Sequence, residues 1–252
     1  MSMNKKIYII LAVVLVVVGY IFFSYRYFYY RLHAGHLMWP DKQGTYQVVN
    51  DTKQNGNNKK LYIALGDSLT SGVGVNDYKQ SYPYLIAEEL ANRGQVVTLI
   101  NQSYPGYKVI DLVNNKLDPT ILSKPDLITI LIGVNDAHGG VSADAFNKNY
   151  DYTLSRLTKE TNAKIYLISI PFLGKNSALL PPYNYYFDMK TRNLNKIVKN
   201  LANQYSVSYI DLYSATNNVF KKDGSHYSRD GYHPSAVGYK TWARVMCNDI
   251  CQ

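Results

Sequence analysis

From residue 61 onward, short apolar runs alternate with helix-patterned stretches, and no other feature of the chain restricts its fold as much. The runs are Leu61–Leu65, Val96–Ile100, Leu127–Ile132, Lys164–Ile170 and Ser208–Leu212. Several are continuously apolar, as strands are when a parallel sheet is covered on both faces. Between them lie helix candidates Tyr82–Arg93, Val109–Leu117, Ala143–Thr161 and Asp188–Gln204, with a last one at Ala236–Cys247. Strand–helix alternation of this kind predicts an α/β sandwich with a mostly parallel, five-stranded sheet. Sites in such folds form at the carboxyl ends of the strands.

The part before residue 61 reads differently. No charged residue occurs from Ile7 to Tyr25. At about 1.5 Å per residue this run reaches roughly 28 Å as a helix, close to the hydrocarbon thickness of a bilayer. Lys5 and Lys6 precede it, and Tyr25, Tyr27, Phe28, Tyr29 and Tyr30 follow, as at a membrane–water interface. A cleaved signal peptide needs small residues after its apolar core. Here the exit is Phe22-Phe23-Ser24-Tyr25-Arg26, and Leu32-His33-Ala34 is a poor later candidate, so an uncleaved transmembrane helix is the reading adopted. A short N-terminal tail favours N-inside, with the domain extracytoplasmic, although Arg26 and Arg31 compete with Lys5 and Lys6. The chain thus divides into an anchor over 1–31, a polar juxtamembrane linker over 32–60 and a catalytic domain over 61–252.

Charge and cysteine usage narrow the partners. Net charge is +9, of which four positive charges precede residue 32 with no acid among them. The remainder is mildly basic and carries no Lys/Arg run of the kind that marks a nucleic-acid groove. Of the 25 tyrosines, many cluster at Tyr25–Tyr30 and Tyr183–Tyr186, and their amphipathic rings suit interfaces and sugar-stacking surfaces. Cys247 and Cys251, the only cysteines, are within reach of one another at i,i+4 and stand equally as a small staple or as two free thiols. Two cysteines without a His or acidic cluster do not make a zinc site, and no metal or other cofactor is expected.

Four segments carry chemistry, each at the end of a predicted strand on the same sheet edge. Ser68 follows the first, in Gly66-Asp67-Ser68-Leu69. Gly106 follows the second, in Asn101-Gln102-Ser103-Tyr104-Pro105-Gly106. Asn135 follows the third, in Gly133-Val134-Asn135-Asp136. Asp230 and His233 lie in Asp230-Gly231-Tyr232-His233-Pro234, before the last helix. A serine hydroxyl needs a base, and His233 supplies one near neutral pH. Asp230, three residues earlier, is placed to orient that imidazole. The Ser68 and Gly106 backbone N–H groups and the Asn135 amide are candidate oxyanion donors. Taken singly these residues have plainer uses: Asp67 or Ser68 as a helix cap, Gly106 in a turn, Asn135-Asp136 at a strand end, His233-Pro234 as a helix start. His226 is a rival base without the Asp-x-x-His arrangement. A surface role is expected for His138, with a place in the lining of the site as the alternative, and loop orientation for Asp67 and Asp136.

Together these segments resemble the SGNH hydrolase superfamily, also called GDSL esterases/lipases, over essentially all of residues 60–247. Ser68, Gly106, Asn135 and His233 stand where the namesake residues stand. Gly66 to Gly74 is similar to the first block, Pro125-Asp126-Leu127-Ile128 through Asp136 to the third, and Asp230 to Gly238 to the last. The resemblance implies a three-layer α/β/α sandwich of flavodoxin-like type. It also implies ester cleavage through an acyl-serine intermediate, without a metal. The motifs do not choose between lipid and O-acylated glycan esters. Phe172-Leu173 and Ala178–Phe187 are candidates to overhang the site, the apolar part suiting an acyl chain and the tyrosines a sugar; a buried helix entry is the plain alternative. A membrane-anchored esterase/lipase facing outward is the reading adopted. An acyltransferase with the same triad and a non-catalytic binding module on this scaffold are the alternatives.

Overall fold

The computed structural model describes residues 3–34, 44–50, 58–173 and 178–252. The elements, in chain order, are α1 (Met3–Ala34), β1 (Thr45–Val48), β2 (Lys59–Gly66), α2 (Ser68–Ser71), α3 (Tyr82–Asn92), β3 (Val96–Ser103), α4 (Val109–Asn115), α5 (Leu117–Leu122), β4 (Leu127–Leu131), α6 (Val134–His138), α7 (Ala143–Glu160), β5 (Lys164–Ile168), α8 (Tyr183–Gln204), β6 (Ser208–Ile210), α9 (Leu212–Lys222) and α10 (Ala236–Ile250).

The strands form one sheet of six, in the order β1-β3-β2-β4-β5-β6. The five expected strands are its parallel part. The expectation of five strands is corrected by β1, an antiparallel edge strand pairing Thr45 with Ile100 and Val48 with Val97. It falls within the segment read as linker, where four residues among polar neighbours give too short a pattern to register. Three helices also lacked a clear signal: α5, α6, which is a single turn, and α9, whose start is marked by Asp211 accepting from the Ser214 N–H at 2.9 Å. Helix α8 begins at Tyr183 rather than Asp188, with Pro182 at its N-cap.

Handedness distributes the layers. The β2–α3–β3 crossover runs toward one edge of the sheet, and those from β3 to β4, β4 to β5 and β5 to β6 run toward the other. Right-handed connection therefore puts α3 on one face and α4, α5, α7 and α8 on the opposite face. Helix α10 returns to pack on α3, and α7 packs on α8. The direction of winding reverses between β2 and β4, which opens a crevice at their carboxyl ends.

Strand β4 is buried at every position and β2 through its last five. Helix α7 buries Phe146, Tyr150, Thr153, Leu154 and Leu157, one stripe at helical spacing, and Ser142 caps it. Tyrosine abundance is partly a core property. Tyr62, Tyr82, Tyr150, Tyr166 and Tyr239 are all but fully buried. Hydroxyl pairs such as Tyr62 with Thr129 and Tyr82 with Thr70, both at 2.9 Å, satisfy polar tips that burial would otherwise strand. Cys247 and Cys251 are joined in a disulfide at the end of α10.

At Gly66 the backbone of β2 meets both α2 and β4. A Cβ there would lie 2.0 Å from Thr70 Oγ1 and 2.4 Å from the Leu131 carbonyl oxygen. The second contact is backbone in a central strand and cannot swing away. Gly66→Ala is therefore expected to destabilise the fold by about 1–3 kcal/mol, the usual cost of overpacking, read as a lower urea midpoint at unchanged slope. An unchanged midpoint would show that the turn has room to spare.

Candidate active site

Sheet register brings three of the predicted segments to one level. Gly66 at the end of β2 is paired with Ser103 of β3 and with Leu131 of β4. The loops carrying Ser68, Gly106 and Asn135 therefore leave one edge of the sheet at one level. Ser68 opens α2, whose N-cap Asp67 accepts from the Leu69 N–H at 3.0 Å. The other loop comes from the far end of the chain. A Cβ on Gly74, at φ +108°, would stand 2.3 Å from the Pro234 carbonyl oxygen and 3.1 Å from His233 Cβ. A side chain there would push the two loops apart. Tyr239 of α10 donates its hydroxyl to the Val73 carbonyl at 2.8 Å and pins the same junction.

His233 Nε2 lies 3.0 Å from Ser68 Oγ, and His233 Nδ1 lies 2.5 Å from Asp230 Oδ2. All three side chains are buried, Ser68 being 7% exposed. The Asp230 Oδ1 oxygen accepts from the Tyr232 N–H, the His233 N–H and the Ser228 hydroxyl at 2.8, 3.0 and 2.8 Å. Burial acts to raise this carboxyl. The hydrogen bond and positive charge offered by His233, with the Tyr232 and Ser228 donors, outweigh it and hold the group down at about 2. Asp230 is thus an anion at neutral pH, aimed at the imidazole nitrogen opposite the serine.

Gly106 is exposed and has a left-handed φ of +86°. The Asn135 amide donates to the Tyr107 carbonyl at 3.0 Å, which ties it to the Gly106 loop and fixes its orientation. Asp136 supports the same loop by accepting the Val109 N–H at 3.2 Å. Asp67 and Asp136 therefore orient loops, as expected of them. His226, the rival base, is committed elsewhere: its Nδ1 faces Asp223, and its carbonyl accepts from the Ser235 N–H at 2.9 Å. Among the described residues, no cluster of His, Cys, Asp or Glu has the arrangement of a metal site. A polar cleft of about 530 Å³ at Lys124–Asp126 and Lys159–Asn162 lies at the amino edge of the sheet, away from Ser68.

His138 is not the surface residue expected. It is half-buried, with Nδ1 2.6 Å from the Tyr183 hydroxyl and Nε2 2.7 Å from the Tyr232 hydroxyl. Its ring is stacked between Phe187 at 3.7 Å and Phe28 at 4.4 Å. Burial, and then the nearby His233, lower its pKa to about 3, so it is neutral. Phe28 and Arg31 of α1 carried no sequence signal for this site. Phe28 is 1% exposed, and the Arg31 guanidinium donates to the Arg229 and Asp230 carbonyls at 3.4 and 3.3 Å. Asn195 is another: from α8 it bonds both backbone groups of Ile170. Phe172, Leu173, Ala178 and Leu179 are buried, whereas Tyr183 and Tyr186 line a groove described below.

The comparisons agree with this architecture. The chain belongs to the GDSL-like Lipase/Acylhydrolase family, a family of ester hydrolases, whose model matches residues 64–241. An arylesterase of Vibrio mimicus is 33% identical over 120 residues, 45% of this chain, which spans 57% of that relative's length. An acetylxylan esterase of Geobacillus stearothermophilus is 25% identical over 219 residues, covering 77% of this chain and 95% of the relative. A solved lipase/acylhydrolase from Enterococcus faecalis has a TM-score of 0.63 at 22% identity, covering 76% of this chain and 95% of its own, a likeness of fold.

Asp67 gives a test of the buried charges. Burial raises its carboxyl to about 7; the Asp136 carboxylate adds to the rise, against the Leu69 N–H. An unfolded aspartate titrates near 3.9. Between about pH 4 and about pH 7 the native chain holds a proton that the unfolded chain has lost, so this contribution to stability falls as pH rises through that window. Asp230 works in the opposite sense, its contribution being present above about pH 4 and lost toward pH 2. The melting temperature of Asp67→Asn minus that of the unsubstituted protein should rise across the Asp67 window and then level off. A difference flat in pH would contradict the raised pKa.

Proposed function

We propose that this protein is a serine-dependent carboxylic ester hydrolase that works through an acyl-serine intermediate on lipid or O-acylated glycan esters at the cell surface. The observation that carries this reading is the continuous line from Ser68 Oγ through His233 to the Asp230 carboxylate, at 3.0 and 2.5 Å. Ser68 Oγ attacks the ester carbonyl carbon while its proton passes to His233 Nε2. Asp230 stabilises the imidazolium that results. The tetrahedral oxyanion is met by the Ser68 and Gly106 backbone N–H groups and the Asn135 amide. Collapse breaks the carbonyl carbon–alkoxy bond, and His233 returns the proton to the leaving alcohol. Water then repeats the sequence on the acyl-serine, releasing the acid and restoring the Ser68 hydroxyl.

Ser68→Ala is expected to abolish cleavage of a short-chain aryl ester without changing the melting temperature by more than a degree or two. Retention of the full rate would refute the nucleophile assignment. Asn135→Ala should lower kcat by about 10²–10³-fold, with KM little changed. A loss confined to KM would remove Asn135 from the oxyanion site.

Helix α1 is read as an uncleaved anchor. Its charge-free run from Ile7 to Tyr25 is long and apolar enough to cross a bilayer, and Ile7 to Phe23 is exposed. The domain is read as facing outward. Protease treatment of intact cells should release the domain, and a protected domain would reverse the orientation.

A further inference from the structure

Helix α1 changes character along its length. Ile7 to Phe23 is exposed on all sides, whereas Ser24 and Phe28, one turn apart, are buried. Ser24 donates its hydroxyl to the Leu180 carbonyl at 2.9 Å, and Tyr25 packs edge-on to Tyr183 at 5.5 Å between centroids. The domain therefore docks on α1 where the charge-free run ends, at the level where bilayer gives way to water.

A groove of about 730 Å³ lies at this junction. One wall is Val18, Ile21, Phe22 and Tyr25 of α1; the other is the start of α8, with His138. Its volume falls within the range of small-molecule sites, roughly 300–1,000 Å³. The lining is almost wholly apolar and includes no carboxylate, lysine or arginine. His138 stands at its inner end as a neutral ring. The other ring nitrogen of His138 meets Tyr232, whose ring lies 5.1 Å from that of His233. The groove is thus lined by residues of the apolar span and by His138, from which the buried Tyr232 leads by contact to the base. It depends on α1, which lies outside the family match over 64–241.

We propose that this groove binds the hydrocarbon chain of a lipid ester that remains in the bilayer while its ester group reaches Ser68. The proposal rests on the hydrolase reading and on α1 as a membrane span. A bilayer lipid is the occupant because three wall residues belong to the apolar span. A tail can then slide in sideways without exposing its methylenes to water. A polar acyl-glycan would find no hydrogen-bond partner along that wall except the tyrosine hydroxyls.

The test uses the full chain in phosphatidylcholine vesicles. The probe is lysophosphatidylcholine carrying a diazirine in its acyl chain. Photolysis should label Tyr183 and Tyr186 as well as α1, and Ile21→Trp, which fills the groove, should reduce labelling at the two tyrosines at least five-fold. In parallel, Ile21→Trp should lower kcat/KM for long-chain lysophosphatidylcholine at least ten-fold more than for phenyl acetate. Val18→Phe, a smaller filling at an exposed position, should act in the same direction. Labels confined to α1, or equal losses on both esters, would overturn the proposal. A groove filled by a second copy of α1 would instead give covalent dimers and unlabelled tyrosines, which also overturns it. If neither ester is cleaved, the hydrolase reading fails while the labelling pattern still decides the groove.

Discussion

The register of three parallel strands underlies everything at the candidate site. Gly66, Ser103 and Leu131 sit side by side at the carboxyl edge of the sheet. From that shared level, two, three and four further residues reach Ser68, Gly106 and Asn135. A parallel ladder does not slip easily when both faces are buried, because a one-residue shift would turn every side chain over. The wholly buried β4 makes that penalty severe. Short loops on a rigid edge are how a chain holds distant polar groups in place without spending conformational freedom at the moment of use.

Against this apolar frame, the site is dense in ionisable groups. Asp230 is held as an anion by three donors and an imidazole. Asp67 and Asp136 face the opposite condition: burial raises them to about 7 and about 6, and each takes backbone N–H groups in partial compensation. The two environments separate carboxylates that stabilise charge from carboxylates that shape loops. The family assigns the chemistry class, and these local environments assign the roles proposed for each acid.

Helix α1 is more than a tether. Phe28 packs against the His138 ring and against Tyr232, and Arg31 reaches the carbonyl of Asp230. Contacts of this kind join the Asp230–His233 loop to the helix that is read as membrane-spanning. They also give the tyrosine clusters a purpose: Tyr25 and Tyr183, far apart in the chain, meet at the junction.

Much of this was legible in the chain. Continuous apolar runs marked the five parallel strands, because such strands must be covered on both faces, and Ser68, Gly106 and Asn135 followed from their positions just past strand ends, whereas Asp230 and His233 lie beyond α9 rather than at the end of β6. Strand β1 was not legible, since its identity comes from pairing with β3 rather than from its own composition. Nor was the part played by His138: a lone histidine at the end of a short helix says nothing of the aromatic rings that will enclose it. Local order, capping and periodicity are properties of neighbours in sequence, so the amino-acid sequence alone determined the layers and the candidate nucleophile, base and acid. The 3.0 Å approach of serine to histidine, the burial that splits the aspartates and the docking of α1 against the site depend on groups separated by scores of residues, and only tertiary packing brings those into one dielectric environment.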